Sequence, residues 1–282
     1  MKTPTWACIL GLVLGPASQE REIRLLVRAD DLGAAHAINE ASIKACKEGI
    51  ARSVEILVPG SWFLEAVRLL KENPEIDVGV HLCLTSEWEN VKWRPLTGPS
   101  SLTDKDGYFF PMVRQRKDFP PGTGLLEANP KPEDVERELR AQIEKVREHL
   151  PRVSHVSTHM GAAVATPEMR AITQKLAQEY RLIAESPGTR GLGWGARKFD
   201  QPETQKETAL VEILSGLQPG TWMFVEHCGQ DGPEMRAMGH TGYSNVAQDR
   251  EGVTRAFTSA KVKAVLAERG IRLVSYADLR KD

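Results

Sequence analysis

Two adjacent carboxylates, Asp30 and Asp31, follow the apolar run 23–27 after Arg28 and Ala29. Side by side they repel each other, so the pair needs a nearby cation or a shared proton. Gly33 allows a tight turn after them, and residues 35–47 read as a helix. Parallel α/β folds present reactive groups in this way, on a strand end that turns into a helix. A lone Asp at this place would be read as the cap of that helix. The pair points instead to metal binding or catalysis.

Three histidines share this placement. His81 lies near the end of an apolar strand read over 78–84, His159 closes the alternating stretch 153–159, and His227 closes 221–227. In a parallel barrel the C-terminal strand ends meet at one mouth. One carboxylate and two imidazoles make an N/O donor set suited to Zn²⁺, with Mg²⁺, Mn²⁺ or Co²⁺ as other divalent candidates. Three protein ligands leave positions for a water and a substrate oxygen, which is how a catalytic site differs from a structural one.

The elements that must position these groups alternate along the chain. Strands are expected over 23–27, 53–58, 78–84, 153–159, 181–184, 221–227 and 271–275. Helices are expected over 35–47, 62–71, 132–150, 167–180, 205–214 and 252–269, with a short one at the end. The clearest is 132–150, where Val135, Leu139, Ile143, Val146 and Leu150 trace one face at helical spacing. Such alternation predicts an α/β fold with a mainly parallel sheet, and seven strands favour a closed or nearly closed barrel over an open sheet. Residues 86–131 carry no clear periodicity and read as a long insertion after the third strand. Its rings, Trp88 and Trp93 among them, suit either stacking on a sugar or pinning the insertion to the barrel.

With 282 residues and a net charge of -1, the chain can bury one large core and offers no electrostatic bias toward nucleic acid or an anionic membrane. The first stretch differs in kind. Lys2, the apolar run 6–14 and Gly15-Pro16-Ala17 read as a cleaved secretory signal, too short to span a bilayer. The expectation is a signal over 1–18, one domain over 19–282, export to the periplasm or the exterior, and no stable membrane association afterwards. An odd number of cysteines beyond the signal (Cys46, Cys83, Cys228), with no CxxC spacing, argues against a disulfide framework.

Ala29-Asp30-Asp31-Leu32-Gly33, with Asn39 after it, resembles the opening motif of the YdjC-like carbohydrate deacetylases, which include chitooligosaccharide deacetylases. The stretch 49–54 is similar to the lead into that family's second strand. Residues 78–85 look like its Gly-x-His-Leu-x-Leu-Thr motif, 154–159 its third motif, and 225–227 its fourth. The resemblance runs from about 24 to 279 and implies a distorted β/α barrel holding one divalent metal. Matched residue by residue, it implies Asp31, His81 and His159 as metal ligands and Asp30 as general base. His227 matches a histidine at the mouth that would serve as general acid or substrate contact. The chain departs from the pattern at Arg28, often Asn, at Ser157, often Asp, at Gly161, often His, and at Cys228, commonly Pro. These positions border the pocket, so Arg28 and Cys228 join Trp88 and Trp93 as candidate substrate contacts. The implied reaction is hydrolysis of an N-acetyl group on an amino sugar or short oligosaccharide, releasing acetate. An exported sugar-binding protein without turnover, and a metal-dependent hydrolase of another amide or ester, remain open alternatives. Self-association is also left open by the sequence.

Overall fold

The computed structural model describes residues 22–184, 188–194 and 203–280. The signal-like stretch 1–18 lies outside the described residues. No helix among the described residues is long and apolar enough to cross a membrane.

Seven parallel strands form one sheet: β1 (Ile23–Leu32), β2 (Ser53–Ile56), β3 (Asp77–Leu82), β4 (His155–Thr158), β5 (Thr189–Leu192), β6 (Gly220–Glu226) and β7 (Ile271–Val274). The order is β4-β3-β2-β1-β6-β5, with β7 also paired to β1. Residues 23–29 of β1 face β6 on one side, so β7, alongside residues 23–26, shares the other side with β2. β1 is thus the hub, and Leu25, Leu26, Val27 and Ala29 are fully buried. Helices α1 (His36–Lys47), α2 (Phe63–Glu72), α3 (Pro132–His149), α4 (Pro167–Tyr180), α5 (Glu203–Ser215), α6 (Pro233–Arg236), α7 (Val246–Thr258), α8 (Ala260–Glu268) and α9 (Tyr276–Leu279) complete the chain. The longer ones surround the sheet, as crossovers between parallel strands require.

Among the described residues no ladder joins β4 to β5, so the sheet is a half-barrel, short of the closed or nearly closed barrel expected from seven strands. The fifth strand also falls elsewhere. Residues 181–184 supply only a single bridge, Ile183 to His155, and the strand is Thr189–Leu192. That edge strand is half-exposed and has no apolar alternation to reveal it. The last long helix is two, α7 and α8. Ser259 breaks them, its extended backbone ending α7 and its hydroxyl capping Lys261 and Val262 of α8. Between β3 and α3 the chain is irregular apart from one short 3₁₀ turn and two isolated bridges. Trp88, Trp93, Leu102 and Phe109 are buried there and tie it to the core.

Candidate active site

The decisive local event is a bulge in β1. Ala29 pairs with Val54 and Leu32 with Ile56, so three steps on β1 answer two on β2. Asp31 takes the left-handed region, φ 69, which Asp tolerates better than most residues. Strict alternation would send Asp30 and Asp31 to opposite faces; the extra residue brings both carboxylates to one cavity. The turn behind them is locked by Asn39, whose Oδ1 accepts from Gly33 N at 2.6 Å. Gly33 has φ 105, and a Cβ there would meet Leu57 O at 2.8 Å, so no side chain fits.

The cavity holds about 380 Å³ and lies at the C-terminal ends of β1, β3, β4 and β6. Asp30, Asp31, His81, His159 and His227 all line it. Asp31 Oδ1 is buried and no hydrogen bond reaches it. His159 Nδ1 stands 3.2 Å from this oxygen and His81 Nε2 3.5 Å. A buried, unsatisfied carboxylate oxygen is costly, and one faced by two imidazole nitrogens is the donor set a divalent cation takes. The opposite ring nitrogens are engaged. His159 Nε2 meets Glu87 Oε2 at 2.9 Å and His81 Nδ1 meets Ser157 Oγ at 2.7 Å. This is how metal-binding histidines are usually oriented. The residues present therefore fit a divalent ion.

Asp31 Oδ2 accepts from Arg250 Nη2 at 2.9 Å. Burial works against the Asp31 carboxylate, yet His227 and Arg250 hold it well below the ordinary range. Burial likewise pushes the His159 imidazole down. The Glu87 and Asp31 carboxylates outweigh that and lift it to about 10.

Asp30 is held differently. Arg28 donates through Nε to Oδ1 at 2.7 Å and through Nη2 to Oδ2 at 2.8 Å, a bidentate clamp. The third arm of Arg28 donates to the Tyr276 hydroxyl at 2.9 Å. His227, just past β6, is 36% exposed at the mouth, with Nε2 3.8 Å from Asp31 Oδ2 and Nδ1 3.9 Å from Glu226 Oε2. Burial lowers its proton affinity, but Asp31 and Glu226 raise it above the ordinary value.

Of the four candidate substrate contacts, Arg28 and Trp88 line the cavity, and Arg28 is occupied by Asp30. Trp88 and Trp93 are each 1% exposed. Trp93 packs edge-on against His159 at 5.5 Å, and Trp88 lies under the Arg250 guanidinium at 5.2 Å. Neither ring offers an open face to a sugar, which favours the pinning alternative. Cys228 is fully buried, and burial raises its thiol pKa.

Two neighbours escaped the sequence. Glu87 sits in the irregular stretch with no pattern to mark it. Arg250 lies in α7 between Asp249 and Glu251, a charged run that looks like any solvated helix face. Its burial comes from packing over the cavity.

Residues 24–268 match the family model for YdjC-like proteins. A carbohydrate deacetylase of Thermus thermophilus is 32% identical over 266 residues, 86% of this chain and 89% of that protein. A carbohydrate deacetylase of Brevibacillus brevis is 29% identical, covering 91% of this chain and all of its own length. The crystal structure of a putative cellobiose-phosphate cleavage protein from Enterococcus faecalis superposes with a TM-score of 0.72 at 22% identity. It covers 92% of this chain and 99% of that one, a likeness of fold.

Proposed function

The chain belongs to the YdjC-like family, and from that premise we propose that it is a metal-dependent carbohydrate deacetylase. The substrate is an N-acetylated amino sugar or short oligosaccharide, and the products are acetate and the free amine. The observation that carries this reading is the orphaned Asp31 Oδ1, faced by His81 Nε2 and His159 Nδ1, with a second carboxylate beside it. Binding a sugar without turnover needs no such pair.

Asp31, His81 and His159 would hold the ion, and Zn²⁺ suits two imidazoles and one carboxylate best. When bound, it supplies Lewis acidity toward the amide carbonyl and lowers the pKa of the attacking water. Asp30 takes the proton of that water. Its two oxygens each keep a free lone pair while Arg28 is bound, so the clamp fixes the base without blocking it. His227 at the mouth, its proton affinity raised by Asp31 and Glu226, delivers a proton to the departing nitrogen. The closed packing of Trp93 against His159 keeps that ligand's ring in place. An acetate-release screen over N-acetylated oligosaccharides with metal-reconstituted protein tests the proposal. Release that depends on added metal supports it, and no release from any of them counts against it.

A further inference from the structure

Below the cavity lies a buried polar line that the reaction does not use. Glu55 of β2 and His155 of β4 are both fully buried. They flank Gly79 of β3 in register, Glu55 beside Gly79 and Gly79 beside His155. A Cβ at Gly79 would come within 2.3 Å of His155 Nε2 and 2.5 Å of Glu55 Oε2. The missing side chain is what lets the two meet across the middle strand, and His155 Nε2 hydrogen-bonds to Glu55 Oε1. Two residues further along the same strands, His81 pairs with Ser157. Ser157 Oγ donates to Glu55 Oε2 and stands 2.7 Å from His81 Nδ1.

We infer that Glu55, acting through Ser157, is a positioning residue that fixes which ring nitrogen of His81 carries the proton. A hydroxyl has one proton and an ionised carboxylate can only accept. Burial raises the Glu55 pKa, but His155 and Arg28 outweigh it and keep the group ionised. Ser157 must then spend its proton on Glu55 and turn a lone pair toward His81 Nδ1. That nitrogen has to be an N–H, which leaves Nε2, 3.5 Å from Asp31 Oδ1, as the nitrogen available to an ion. The reverse arrangement would set a serine lone pair against a buried carboxylate, which a low-dielectric interior penalises. The carboxylate that orients His81 therefore lies one hydroxyl away, embedded in the sheet. Its effect on metal binding rests on the reading in the preceding subsection; the tautomer does not.

The test has two arms. Long-range ¹H–¹⁵N correlation spectra of metal-free, histidine-labelled protein, at a pH where the ring holds one proton, report the His81 tautomer. The expected result is Nδ1–H in the parent and loss of that preference in Ser157→Ala. Chelator competition should show Ser157→Ala binding a divalent ion about 10–100-fold more weakly. The double variant Ser157→Asp/Glu55→Gln moves the charge one step inward and should restore both the tautomer and the affinity, which a purely structural serine would not do. A parent ring protonated at Nε2 overturns the inference without recourse to any variant. So does a folded Ser157→Ala that keeps the parental tautomer and affinity. If no form of the protein binds a divalent ion, the deacetylase reading falls, while the parent spectrum still decides this one.

Discussion

The two walls of the cavity hold their histidines in opposite ways. On the β3–β4 wall, His81 and His159 are 1% and 3% exposed, and each has one ring nitrogen tied to a serine or a glutamate. On the β6 wall, His227 is 36% exposed and its nearest carboxylates stand at 3.8 and 3.9 Å. An immobilised imidazole with one committed nitrogen suits ligation, because the other lone pair is aimed before the ion arrives. A looser one, exposed to substrate and biased toward its protonated form, suits proton transfer. The same residue type thus takes two roles according to how firmly the chain grips it.

Replacing a gripped histidine should do the greatest damage. His159→Ala removes one of three protein donors, so metal affinity should fall by more than the roughly 10–100-fold that loss of an outer partner costs. Metal analysis after dialysis checks this, and unchanged stoichiometry would erase the distinction between the walls. His227→Gln should leave metal content intact while kcat falls about 10²–10⁴-fold. The pH profile sharpens the point. Glu226 favours the protonated His227 ring whether or not Asp31 holds an ion, and in the proposed mechanism the acid form is the active one, so parental kcat should decline as pH rises through the His227 pKa. The variant should lack this alkaline limb. The smallest effect on turnover is expected from Trp93→Ala. Emptying a ring site that is 1% exposed should cost about 3–5 kcal/mol of stability, read as a lower unfolding midpoint. KM should stay near the parental value at temperatures where the variant is folded. A raised KM with unchanged stability would return Trp93 to the substrate.

The sequence carried the frame well where burial imposes a period. The α4 bounds, Pro167–Tyr180, are those expected, and β1, β3, β4 and β6 bring their site residues to one mouth as strand ends should. It failed where tertiary context decides. The edge strand Thr189–Leu192 has no apolar face to betray it, and the break at Ser259 interrupts a helical pattern that runs on through it. The bulge that turns Asp30 and Asp31 to the same side is a register event between two strands, invisible in either strand alone. No pattern in the sequence marks Glu55, Glu87 and Arg250 for the interior; they are buried where the sheet, the irregular stretch after β3 and α7 meet.

In the proposed mechanism Asp30 and Asp31, side by side on that bulge, divide the labour between moving a proton and holding an ion. Metal content and acetate release, followed together through a metal titration of Asp30→Asn and Asp31→Asn, test it most directly. Asp31→Asn should lose metal and regain part of its activity as metal is added, since an amide is a poorer ligand than a carboxylate. Asp30→Asn should keep its full metal complement, lose about 10²–10⁴-fold in kcat, and gain nothing from added metal. Rescue of Asp30→Asn by metal, or full activity in both variants, would contradict the assignment.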